Sequence, residues 1–193
     1  MERGLAPTVV DDATLATRAA HGDIVAFETL LRRHSDRVLG LALRTLGDRA
    51  ESEDVTQEVF VIAWRRLGEL AEPAAVRTWL FRIAHRRCLA VLRQRRDRRT
   101  DPVGTLPEPG GEAVSGGAAA DPARVAEASA GVAALRRALA GLPPPQRAVW
   151  LLAEVDGLSY AEIARVVGVS DQAVRGRLSR ARASLAEAMR AWR

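Results

Sequence analysis

LSYAEIARVVGVSDQAVRGRLSRAR, residues 158–182, is the stretch on which the fold turns. Apolar residues recur at helical spacing on both sides of Gly168-Val169-Ser170, so two helices joined by a tight turn are expected. Ala164 is small enough for close helix packing, Gly168 makes the turn, Val169 plugs the corner, and Val174 and Leu178 bury the second helix. That is the physical recipe of a helix-turn-helix, whose second helix enters the major groove of DNA. Burying Val174, Leu178, Ala181 and Leu185 leaves Gln172, Arg175, Gly176, Ser179 and Arg182 on the opposite face, with Arg177 and Arg180 at its edges. These groups suit base edges and phosphates. Gly176 costs a helix interior about 1 kcal/mol against alanine. On a DNA-facing surface, the same bare patch permits close approach of a base edge or backbone.

Working outward, the 193 residues are 48% hydrophobic but only 4% aromatic, and the apolar residues are mainly Ala, Leu and Val at helical spacing. An all-α protein of two small helical domains is expected. All 29 basic residues are arginine, whose planar fork pairs with phosphate and with the guanine edge. Their distribution matters more than the net charge of +5. Residues 77–99 carry nine arginines against Asp97 alone, and residues 165–193 carry seven against Asp171 and Glu187. Residues 48–58 carry five acids against Arg49, and residues 101–127 five acids against Arg124. Two separated basic blocks point to two contacts on one polyanion.

Residues 100–130 concentrate Pro, Gly, Ala and acids with almost no large apolar side chain, which reads as a flexible linker. The expected domains are therefore 11–99 and 131–193. In the first, Asp12 is expected to cap a short helix ending near His21-Gly22-Asp23, and a long helix follows from about Ile24 to Leu46, stopped by Gly47. Phe27, Leu30, Leu31, Val38, Leu41 and Leu46 form its apolar stripe. Ser52 is expected to cap a third helix with Glu53 and Asp54 in its first turn and Val59, Phe60, Ala63 and Trp64 along it. A fourth, from about Ala75, runs through Trp79, Ile83 and Leu92 into the arginine cluster; Trp79 shares a stripe with Ile83 and reads as core in preference to a stacking platform. In the second domain, helices are expected over about 132–140 and from Pro144 to just before Asp156-Gly157, ahead of the helix-turn-helix.

The order of these elements resembles an extracytoplasmic-function (ECF) sigma factor of the sigma-70 family. The resemblance is carried by residues 11–64, by RTWLFRIAHRRCLAVLR (77–93), and by residues 142–185, which together leave out little but the linker and the ends. It implies a sigma region 2 helical bundle followed by a sigma region 4 helix-turn-helix. The implied function is that of a promoter-specificity subunit that binds core RNA polymerase and directs strand opening and transcription initiation at a specific regulon, under an anti-sigma factor. The family's acidic docking helix transfers to Glu53, Asp54, Gln57 and Glu58. Its minus-10 surface transfers to Arg77, Thr78, Arg82, His85, Arg86 and Arg93, where a single strand would track a basic groove and hold an unstacked base. The resemblance places the minus-35 element against the helix from Gln172 to Arg182, with Arg175, Gly176, Ser179 and Arg180 at the family's contact positions and Gln172, Arg177 and Arg182 joining them from the exposed face. Arg86 stands where the family usually has Asn, and Ala90 where it usually has Asp, so the minus-10 sequence preference is open. The linker's acidity fits either a nucleic-acid mimic or a plain tether.

Other chemistry is thin. His85 and Cys88 are spaced i, i+3, but no second pair completes a tetrahedral metal set, so no metal or cofactor is expected. No phosphate loop, catalytic triad or isolated carboxylate pair is visible, so neither enzymatic activity nor a small-molecule substrate is expected. One cysteine and the lack of a signal-peptide pattern or long apolar run suit a cytoplasmic protein without membrane insertion. The competing reading is a stand-alone helix-turn-helix regulator, dimeric and reading a palindrome. The acidic helix and the second basic block argue against it.

Overall fold

A computed structural model describes residues 10–100 and 122–190, with side chains described for 10–98 and 130–190. Every regular element among them is helical, and the chain divides into two compact units at Leu106/Pro107.

The first unit opens with α1 (Asp12–Ala20), α2 (Ile24–Leu46) and α3 (Arg49–Arg66). The cap of α1 is Asp11, whose carboxylate accepts from the Thr14 N–H at 2.7 Å. Asp12, expected in that role, turns instead to α2 and accepts from Arg33 and from the His34 imidazole, both at 2.8 Å. Adjacent aspartates at a helix start are thus divided between capping and tertiary pairing. α2 is capped by Asp23 and ends at Gly47, whose φ of 71° is the left-handed stop that glycine adopts without strain. Leu30, Val38, Leu41 and Leu46 of the expected stripe are buried, with Phe27 and Leu31 half-buried.

The cap of α3 is Asp48, four residues before the expected Ser52. Ser52 lies inside the helix, fully buried, and its hydroxyl donates back to the Asp48 carbonyl, a common outlet for a mid-helix serine. Val59, Phe60 and Ala63 face the core, whereas Trp64 is 40% exposed and meets Phe27 edge-to-face at 5.0 Å.

Two 3₁₀ turns, Leu67–Glu69 and Pro73–Ala75, lead into α4 (Val76–Thr100). Its core face is Val76, Leu80, Phe81, Ala84 and Cys88, not the expected Trp79-Ile83-Leu92 stripe, which is half-buried. α4 packs against α1, α2, α3 and the second 3₁₀ turn, so no single narrow stripe describes its contacts. Arg95 fastens its far end, donating to the Leu46 carbonyl at 2.8 Å and pairing with Glu51.

The second unit holds α5 (Pro122–Gly141), α6 (Pro144–Glu154), α7 (Tyr160–Val167) and α8 (Asp171–Ala188). α5 starts inside the segment expected to be linker. Its run of alanines with proline at the first position favours helix over coil. The rest of that linker, residues 101–121, lies outside the described residues. Val149, Leu151, Leu152, Ile163, Val166, Val174 and Leu178 make the core, and Leu135, Ala138 and Leu139 of α5 pack on Leu142, Ala181 and Leu185. Arg147 donates to the Ala140 and Leu142 carbonyls, closing the end of α5.

Candidate nucleic-acid interface

α7 and α8 form the turn foreseen from residues 158–182. Ser159 and Glu162 make a reciprocal capping box at the start of α7, with the Glu162 side chain accepting from the Ser159 N–H at 2.8 Å. Gly168, at φ 73°, ends α7 by donating its N–H to the Ala164 carbonyl at 2.9 Å. Ser170 caps α8, its hydroxyl accepting from the Ala173 N–H at 3.2 Å. Glycine and serine within three residues thus stop one helix and start the next at a fixed angle.

The buried residues of α8 are Val174, Leu178, Ala181 and Leu185, the row expected from spacing. Gln172, Arg175, Ser179, Arg180 and Arg182 are exposed, and Gly176 and Arg177 are half-buried. The structure therefore brings this whole set onto one accessible arc. Arg182 is tied within the domain: its Nε and Nη2 both donate to Glu154 Oε1, at 2.9 and 2.6 Å. The Arg175 guanidinium carbon lies 5.9 Å from the centroid of the Tyr160 ring, within cation–π range. The spacing of residues 158–182 foreshadowed neither contact, because each joins residues on different helices.

α4 divides its expected set. Arg82, Arg86 and Arg93 are exposed and Arg77 is half-buried. Thr78 and His85, expected at the surface, are 6% and 7% exposed and face inward. Both lie beside the Phe81 and Cys88 core face, two turns apart, so packing on several sides captures them. Trp79, Arg82, Ile83 and Arg86 join Ile62 and Arg66 of α3 around an open cleft of about 190 Å³. Trp79 is therefore partly open, not wholly core. Burial pushes the Cys88 thiol up to about 12, which leaves it a small inert apolar group. Among the described residues no cluster of three His, Cys, Asp or Glu could hold a metal ion.

On α3, Asp54, Gln57 and Glu58 are exposed and Glu53 is half-buried. Glu53 accepts from Arg49 at 2.8 Å, and Glu58 accepts from Arg87 Nε at 2.7 Å. The acidic row therefore borders α4's basic one. Val61 and Trp64 continue the exposed face of α3, and Ile24 and Val25 are 60% and 65% exposed at the start of α2. Sequence reasoning assigned these apolar groups no role. Ile24 and Val25 precede the periodic stripe of α2, a signal that could have set them apart. No helix among the described residues is long and apolar enough to cross a membrane.

Comparison with known proteins follows the same division. The family model "Sigma-70 region 2" matches residues 30–98, and "Sigma-70, region 4" matches residues 133–185. The ECF RNA polymerase sigma factor SigM of Mycobacterium tuberculosis is 34% identical over 91% of this chain and 83% of its own length. The ECF RNA polymerase sigma factor SigE of Mycolicibacterium smegmatis is 34% identical over 92% of this chain, which spans 65% of that relative's length. Among solved structures, CnrH in complex with the cytosolic domain of CnrY superposes with a TM-score of 0.66 at 32% identity, covering 93% of this chain and 97% of that one.

Proposed function

Since the chain belongs to the ECF sigma factors, a class of RNA polymerase sigma factors, we propose that it works as a promoter-recognition subunit with three separate surfaces. Glu53, Asp54, Gln57 and Glu58 of α3 dock core RNA polymerase. Arg82, Arg86 and Arg93 of α4, with the cleft beside Trp79, hold the melted minus-10 strand, Arg77 standing at the edge. Gln172, Arg175, Gly176, Arg177, Ser179 and Arg180 of α8 meet the minus-35 element in the major groove. Residues 11–99 act as the docking and minus-10 domain, 131–193 as the minus-35 domain, and the segment between them as their tether.

The observation that carries this reading is the face of α8. A helix capped by Ser170 buries one row and presents an opposite arc of amide, hydroxyl and guanidinium groups, the chemistry that reads base edges and grips phosphate. Opening the duplex then draws on binding energy, and bond-making belongs to the polymerase, so the chain has no catalytic set of its own. It acts in the cytoplasm, where the template is. An anti-sigma factor is a further expected partner, consistent with the solved relative bound to a cytosolic domain.

Run-off transcription with purified core RNA polymerase on a genomic promoter library tests the proposal. New start sites at asymmetric two-element promoters are the expected result. A polymerase-independent footprint on a palindrome would instead identify a stand-alone regulator.

A further inference from the structure

Two side-chain contacts tie α8 to the helices before it in the second unit. Glu154 is the last residue of α6, Tyr160 the first of α7, and Arg175 and Arg182 stand two turns apart on α8. Arg182 gives two N–H groups to one Glu154 oxygen. The Arg175 guanidinium lies over the Tyr160 ring, its carbon 5.9 Å from the centroid. Tyr160 therefore meets one arginine of α8 and Glu154 the other.

The two contacts have opposite consequences for DNA. A carboxylate cancels the charge of Arg182 and occupies part of its donor fork. A neutral ring leaves the charge of Arg175 intact and, having no acceptor oxygen in its face, takes up none of the N–H fork. An exposed arginine otherwise has many rotamers to lose on binding, so a ring that holds the plane lowers the ordering cost of reading a base.

Resting on the reading that α8 enters the major groove, we infer that Tyr160 is a positioning residue for base recognition by Arg175, and that Glu154 withholds Arg182 from the phosphates. This revises the part expected of Arg182: it braces α8 against α6 and makes no DNA contact. Specificity at the Arg175 base pair is then set partly by a residue on the preceding helix.

The test uses the full chain bound to core RNA polymerase. The probe is the best minus-35 duplex recovered from a randomised library by the native complex, together with each single-base variant. Discrimination at the base pair read by Arg175 is expected to fall about three- to fivefold in Tyr160→Ala, as loss of an exposed cation–π contact implies, and to stay within about twofold of native in Tyr160→Phe. Arg182→Ala should leave the salt dependence of binding unchanged, whereas a phosphate contact would lower the slope by about one. Equal loss in Tyr160→Phe and Tyr160→Ala, full discrimination in Tyr160→Ala, or a reduced slope in Arg182→Ala would each overturn the inference. Arg175→Ala separates its failure from that of the wider reading. If Arg175→Ala abolishes discrimination while Tyr160→Ala leaves it at the native level, only the positioning role falls. If Arg175→Ala changes nothing, the groove-reading role of that side chain falls with it.

Discussion

α4 and α8 are both arginine-rich, and they present their arginines by different means. α8 docks along one row, Val174, Leu178, Ala181 and Leu185, and leaves a broad arc to solvent. α4 is enclosed by α1, α2, α3 and a 3₁₀ turn, and it buries polar Thr78 and His85 along with Val76, Leu80, Phe81, Ala84 and Cys88. Two of its arginines are also drawn inward in function, Arg87 to Glu58 and Arg95 to Glu51 and the Leu46 carbonyl. A helix held on one side transmits its sequence period directly to the surface. A helix held on several sides selects which polar groups remain outside.

The largest expected effects probe the two cores behind those helices. Phe81 and Leu178 are each 1% exposed. Phe81→Ala should cost about 3–5 kcal/mol and Leu178→Ala about 2–5 kcal/mol, through lost burial and the cavity left behind. Calorimetry of the full chain should show each substitution lowering the transition of its own unit and sparing the other. A shared drop would break the comparison by making the two units one cooperative body.

The same contrast explains what could be read ahead of the structure. The α8 row, the Gly168 turn and the Gly47 stop follow from spacing and from the φ that glycine tolerates, so they were legible. The α4 core face was not, because residues 76–92 place apolar groups on most sides of the helix and only packing selects among them. The caps missed by one and four residues had closely spaced rivals: Asp11 beside Asp12, and Asp48 ahead of Ser52. At the candidate site, residue types were legible while pairings were not. Glu154 and Arg182 are 28 residues apart, and nothing in local spacing joins them.

Next in size is the functional separation of the two units. Arg175→Ala should lose about 1–3 kcal/mol of discrimination at one minus-35 base pair, the usual worth of a bidentate arginine contact. It should leave core-polymerase affinity unchanged. Asp54→Ala combined with Glu53→Ala should weaken core association at every promoter alike. Fluorescence anisotropy for core binding and initiation assays on matched and mismatched promoters read the two quantities separately. Equal loss of core binding in both variants would contradict the assignment of surfaces.

A smaller, pH-dependent effect is confined to the first unit. His34 is buried, and burial holds its imidazole below the ordinary value of 6.5; Asp12 opposes this, while Arg37 and Arg77 add to it. The unfolded chain therefore takes up this proton first, so stability falls as pH drops from about 6.5 toward the lower folded value. Burial alone would raise the Asp12 carboxyl, but hydrogen bonds and charge from Arg33 and His34 outweigh it and hold it below 3.8. Its contribution persists above 3.8 and is lost only in stronger acid, through its folded value. Thermal melts across pH should show both losses in the native chain. His34→Gln should remove the first and keep the second, and an unchanged profile would show that the α1–α2 contact does not couple to that proton. No matching step is expected in the second unit, which contains no histidine.

The smallest effect falls at Gly176, on the surface that α8 leaves open. A methyl group there would meet only the Arg180 guanidinium, with Nη1 at 3.6 Å and Nη2 at 3.9 Å, which is ordinary contact. The free protein thus has no steric reason to keep glycine at this position. Gly176→Ala should raise the stability of the second unit by about 0.5–1 kcal/mol, because alanine loses less backbone freedom in a helix. If glycine serves close approach to DNA, the same substitution should weaken promoter binding, since the added methyl lies between Arg175 and Ser179 where a base edge or backbone would come near. Thermal melting and promoter affinity measured on one variant should therefore move in opposite directions. A gain in both would make the glycine a tolerated weakness, and would place the DNA contact on the flanking arginines alone.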